Sequence, residues 1–138
     1  QIYAPFHDAV STAIRTVTAP VLLTIHSFTP TFHGTSRTVE IGVLHDTDTR
    51  LADAMLDCAS DHTQMTVERN APYGPQDGVP HTLQRHALPH GHPNAMIEVR
   101  NDLIATPAQQ AQLGDMLATW VTAACHKIGA AGEVSCTG

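Results

Sequence analysis

Two residues stand where chemistry is expected. His26 follows the apolar, β-branched run of residues 21–25, and Glu98 lies near the end of a second such run, residues 95–99. An imidazole at the end of a buried strand is rigidly held yet accessible, and open α/β sheets place their ligands at strand ends. A carboxylate in the same setting is costly unless it is paired or functional. Together they point to a neutral imidazole that ligates zinc and an unligated carboxylate that takes a proton from the metal's water. Zinc would bring that water's pKa to about 7 and polarise a scissile carbonyl. The plainer readings are a hydrogen-bonded core histidine at 26 and an ion pair of Glu98 with Arg100 or Arg37. No HExxH motif joins the two residues.

Other candidates are weaker. His90 and His92, in Pro89-His90-Gly91-His92-Pro93, read as an exposed turn because of the glycine and prolines around them. Cys58, Cys125 and Cys136 are an odd number without CxxC spacing, which fits reduced, structural thiols.

The elements that position these residues follow from periodicity. Phe6, Val10, Ile14 and Val17 share one helical face, with Pro5 in the first turn and Pro20 as a stop. Residues 21–25 read as a buried strand leading into the turn Ser27-Phe28-Thr29-Pro30. A loop around Gly34 precedes a strand over 39–44. Asp46 and Asp48 offer caps for a helix carrying Leu51, Met55 and Cys58. Residues 65–67 predict a short strand, 70–74 a Pro/Gly loop, 81–87 a short helix and 95–99 a further strand. Thr106, Pro107 and Gln109 supply a cap, a first-turn proline and a capping-box partner. The helix they start carries Leu113, Leu117, Trp120, Val121 and Ala124 and is expected to cover one face of the sheet. The tail beyond Lys127 is expected to fray. Strands alternating with helices predict an α/β layer architecture in one domain spanning residues 1–138.

Composition excludes several classes. The 138 residues carry a net charge of −6 and no basic stripe, so no nucleic-acid partner is expected. No apolar stretch approaches the roughly 18 residues of a membrane helix, and no signal peptide opens the chain, so a soluble, cytoplasmic protein is expected. Ten histidines are dispersed, which counts against a metal-buffering protein.

The string Leu22-Leu23-Thr24-Ile25-His26-Ser27-Phe28-Thr29-Pro30, then Arg37, Gly42-Val43-Leu44, Asn70-Ala71-Pro72-Tyr73, Thr82-Leu83, His86-Ala87 and Ile97-Glu98-Val99-Arg100-Asn101-Asp102-Leu103-Ile104 resembles the N-formylglutamate amidohydrolase family. The opening Tyr3-Ala4-Pro5-Phe6-His7 is similar to that family's Tyr-x-Pro-Tyr-His segment, so the resemblance covers almost the whole chain. The role of His7 stays open between site and structure. The family in turn looks like the zinc carboxypeptidases, whose Ile-His-Ser-Tyr-Ser and Glu-Leu-Arg segments carry the last zinc-binding histidine and the general-base glutamate. The resemblance implies a three-layer α/β fold, phosphorylase/hydrolase-like, with a mixed β-sheet flanked by helices.

It further implies Zn2+ as cofactor, His26 as a zinc ligand and Glu98 as the base and proton shuttle. Arg37, Asn70, Tyr73, His86 and Arg100 are the implied substrate-binding or oxyanion-stabilising groups. Arg100 has a salt bridge to Asp102 or Glu98 as its structural alternative, and His86 a supporting role. The implied activity is hydrolysis of the amide of a small N-acyl amino acid. N-formyl-L-glutamate to formate and glutamate, a step in histidine degradation, is the type reaction.

Two departures qualify that expectation. Family members are considerably longer, and their first half carries an Asp-His-Ala-Ser type segment that should furnish the remaining zinc ligands; nothing here matches it. The chain therefore reads as the C-terminal part of such an enzyme, the alternatives being a short variant recruiting its own histidines and a catalytically incompetent interaction module. Thr38-Val39 also replaces the family's usual Pro-Trp pair. No oligomeric state is implied.

Overall fold

The computed structural model describes residues 2–130, so Cys136 and the end of the tail expected to fray lie outside the described residues. Helix α1 (Tyr3–Arg15) has Pro5 in its first turn and closes on Thr16, well before the expected stop at Pro20. Strand β1 (Leu22–Phe28) runs on beyond Ile25, so His26 lies within the strand and not in the turn after it. A two-stranded hairpin, β2 (Thr31–Phe32) with β3 (Thr35–Ser36), leads to β4 (Ile41–Leu44).

Helix α2 (Arg50–Asp57) starts from Thr49, whose hydroxyl donates to Asp53 Oδ2 at 2.7 Å; Asp48, the expected cap, instead accepts from the Arg50 backbone and side chain. Cys58 follows as the helix's C-cap. The short α3 (Ala59–His62) and β5 (Val67–Arg69) come next, β5 lying slightly later than the 65–67 reading. A cis Ala71–Pro72 bond lies in the loop before α4 (His81–His86), which precedes β6 (Asn94–Arg100) and α5 (Pro107–Lys127).

The other four strands form one mixed sheet in the order β1-β6-β4-β5. β1 is parallel to β6, β6 antiparallel to β4, and β4 parallel to β5. Alternation along each strand sorts the side chains onto two faces. On one face Ile41, Val43, Ile97 and Val99 meet Leu51, Ala52 and Met55 of α2 and Leu113, Leu117, Trp120 and Ala124 of α5. Trp120 is wholly buried there and donates its indole N–H to Met55 O at 2.8 Å. The expected capping box holds the start of α5, with the Gln109 backbone N–H donating to Thr106 Oγ1 and the Thr106 N–H to Gln109 Oε1. On the other face Leu44 and Met96 pack against Leu83 of α4, with Tyr73 and Val79 beside them. Helices thus flank a mixed sheet on both sides, the expected α/β architecture.

β1 departs from the expectation of a fully buried strand. It is an edge of the sheet, and Ile25 is 58% exposed. An apolar run shows that a strand is suited to burial; which strand closes over it is decided by pairing with distant residues.

Gly42 shows why a glycine is needed in β4. A Cβ there would lie 1.9 Å from the Ala71 carbonyl oxygen. The 70–74 loop thus crosses the β4 backbone at close range, on the face that carries Glu98, because Gly42 and Glu98 are register partners.

Candidate active site

His26 and Glu98 are far apart in the chain and become direct neighbours in the sheet, paired in the parallel β1/β6 register. Parallel register partners present their side chains on the same face. His26 is exposed on the edge strand, whereas Glu98, on the interior strand, is 4% exposed. The Glu98 Oε2 atom has no hydrogen-bond partner among the described residues. Burial raises the Glu98 carboxyl's pKa above the ordinary glutamate value, and the Arg37 guanidinium opposes that rise. A buried carboxylate oxygen without a partner is a group with unused proton-accepting capacity.

The ion pair considered for Glu98 does not form with either arginine among the described residues. Arg100 instead meets Asp102 at 2.8 Å and Glu40 at 3.7 Å, and its Nη1 donates to the Arg37 carbonyl at 3.2 Å. The Arg100 guanidinium holds the Asp102 carboxyl below the usual range. Arg100 therefore braces the end of β6.

Arg37 is differently placed. Its guanidinium lies 5.4 Å from the Phe28 ring, 4.7 Å from Phe32 and 5.1 Å from Tyr73. Nη1 donates to Thr29 O at 3.1 Å and Nη2 to the Tyr73 hydroxyl at 3.3 Å. These partners are neutral, and no carboxylate lies within ion-pair distance of Arg37 among the described residues. A cation fixed by aromatic faces, near a buried carboxylate and still without its own counter-ion, is suited to receiving an anionic group. Phe28 and Phe32, to which the sequence reading gave no role, build this holder; their adjacency to the His26 motif was the available signal.

Asn70 and His86 are engaged elsewhere. Asn70 sits at φ 48°, a conformation asparagine tolerates, and its Oδ1 accepts from the His45 backbone N–H at 2.9 Å, securing the turn after β5. His86 is buried and linked to His7 at 2.6 Å and to the Ser11 hydroxyl at 3.3 Å. His90 and His92 stack at 5.6 Å within their turn.

Among the described residues no three His, Cys, Asp or Glu side chains converge so as to hold a metal ion. On this face the fit for zinc is therefore partial, with one imidazole on an open sheet edge beside an unpartnered buried carboxylate. Three concavities lie away from it. Grooves of about 500 Å³ are bordered by Glu40, His62, Met65 and Met116 and by Arg50, Asp53 and Lys127, and one of about 320 Å³ by Ser11, Ile14, His86 and His92.

The family model described as N-formylglutamate amidohydrolase matches residues 1–105. The chain belongs to the N-formylglutamate amidohydrolase family. The match takes in every element that carries the candidate site, from α1 through β6. No curated protein matches the chain. Among solved structures, the gene product Atu2144 from Agrobacterium tumefaciens is similar, with 51% identity and a TM-score of 0.83 over 92% of this chain. The chain spans about half of that protein, covering 52% of it. No helix among the described residues is long and apolar enough to cross a membrane.

Proposed function

We propose that this chain contributes the base and one metal ligand to a zinc-dependent amidohydrolase site acting on a small N-acyl amino acid, with N-formyl-L-glutamate as the type substrate. The observation that carries the proposal is the register pairing of exposed His26 with buried Glu98, whose Oε2 has no partner, in a chain of this family. Zinc, when bound, supplies the Lewis acid that polarises the formyl carbonyl and acidifies the attacking water. His26 Nδ1 or Nε2 is this chain's ligand to it.

Glu98 takes one proton from the attacking water as the new C–O bond forms at the formyl carbon. It returns that proton to the nitrogen as the C–N bond breaks, releasing the free amine and formic acid, which then ionises to formate. A carboxyl raised by burial is a better acceptor than an ordinary glutamate, and the Arg37 guanidinium acts against that rise. Arg37, oriented by Tyr73, binds a carboxylate of the substrate. Asn70, Arg100 and His86 hold the loop, the strand end and α1 respectively.

The remaining zinc ligands are proposed to come from the part of the family's sequence that this chain does not match. This is supported by the absence, among the described residues, of any three side chains placed to hold a metal ion, and by the 52% coverage of the Agrobacterium protein. The test is zinc content and formate release for this chain alone, and for the chain combined with the unmatched half of that protein, each measured with His26 intact and as His26→Ala. The combination with His26 intact is expected to hold about one zinc, as a catalytic site with three protein ligands does. The chain alone, and any combination carrying His26→Ala, should hold little. Retention of zinc by the His26→Ala combination would remove His26 as a ligand. Full occupancy in the chain alone would place all ligands within it.

A further inference from the structure

Helix α1 is held in an unusual way. His7 is its one buried side chain, while Ile2, Tyr3 and Phe6 at the same end are exposed. The attachment to α4 is polar: His7 Nδ1 to His86 Nε2 at 2.6 Å, His86 Nδ1 to the Ser11 hydroxyl at 3.3 Å, and the Tyr3 hydroxyl to His81 Nε2 at 2.7 Å. Arg85 also donates to the Tyr3 hydroxyl, at 3.2 Å. The two central imidazoles stack at 4.9 Å and are 3% and 5% exposed.

We infer that the His7–His86 pair is an acid-sensitive latch that docks α1 onto α4 when neutral and releases it when protonated. The reason is the requirement of the hydrogen bond itself. One ring nitrogen must carry the proton and the other must be bare. A first proton, added at the outer nitrogen of whichever ring donates the bond, leaves the bond intact but places a charge in a covered site. A second turns both facing nitrogens into donors and abolishes the bond. No apolar side chain of α1 is fully buried, Val10 and Ile14 being half-buried, so the polar contacts carry much of the attachment.

The groups facing the pair favour the neutral state. His81 and Arg85 on α4 and His90 in the following turn act against protonation of the pair, and Asp8 on α1 is the single neighbour that favours it. Burial is the largest influence, and it lowers both pKa values below the ordinary histidine value. The unfolded or undocked state therefore binds protons more readily. Docking is at full strength above the ordinary histidine pKa and weakens as pH falls below it. This inference stands apart from the catalytic proposal, since neither imidazole is assigned to the reaction.

The test is amide hydrogen exchange of the full chain between pH 7.5 and 5, corrected for intrinsic rates, comparing α1 with α5. Ring-proton titration of His7 and His86 is followed by NMR in the same samples. Protection of α1 is expected to fall relative to α5 as the pair titrates, because docking and protonation are linked. In His86→Gln, which keeps a hydrogen-bonding amide without a titrating ring, the pH dependence of α1 protection should be clearly reduced, His7 alone remaining to titrate. A constant ratio of α1 to α5 protection across that range in the wild-type chain would overturn the latch, whether or not the variant folds. So would a pH dependence that survives unchanged in His86→Gln.

Discussion

At the scale of single residues, Glu98 combines two costs that a purely structural glutamate would avoid. It is buried, and one of its oxygens has no partner among the described residues. Its pKa is raised in the folded chain, so the folded state binds the proton more tightly than the unfolded state does. Whatever stability the protonated form contributes is fully present below the ordinary glutamate pKa and is lost as pH rises through the folded value. Replacing Glu98 by Gln is therefore expected to raise the thermal midpoint at pH 7, with the gain shrinking as pH approaches 4. In a zinc-loaded, active combination the same substitution should lower kcat by about 10²–10⁴-fold while bound zinc stays constant, as loss of a general base does. Unchanged turnover would exclude Glu98 from proton transfer. A lower midpoint at pH 7 would show that Glu98 serves packing.

At the scale of elements, the site depends on a loop lying almost on a strand. The 70–74 segment approaches β4 so closely that only the missing side chain of Gly42 admits the Ala71 carbonyl. Since Gly42 is paired with Glu98, displacement of this loop also displaces Tyr73, which orients Arg37. Gly42→Ala is expected to cost about 1–3 kcal/mol in urea unfolding, the usual range for overpacking. Because the nearest atom is backbone oxygen, a flexible side chain cannot relieve the clash. A variant as stable as the wild type would show that the loop is free to lift away.

The whole molecule has an asymmetric sheet. β4 and β6 are buried on both faces, while β1 ends the sheet with Ile25 exposed and with His26 beside it. An exposed apolar edge strand is a template for further strand pairing. Ile25→Lys is expected to change the stability of the chain by no more than about 0.5 kcal/mol, as for other exposed positions. If Ile25→Lys destabilised the chain strongly, Ile25 would be part of its core in solution.

The sequence by itself determined what local patterns and motifs encode. Helix and strand types followed from periodicity, the start of α5 from its capping box, and the family from motifs around His26, Arg37 and Glu98. Those signals are local because turn chemistry and side-chain alternation act over a few residues. Tertiary structure alone decided the rest. Strand pairing made His26 and Glu98 register partners, left β1 as an edge where a buried strand was expected, and committed Arg100 to Asp102 and Glu40. Folding of α1 onto α4 joined His7 to His86. It thereby tied His86 to α1 through His7 and the Ser11 hydroxyl. In each case the deciding contact is set by how the folded chain arranges its segments, and its energy depends on which groups the fold leaves without partners or without water.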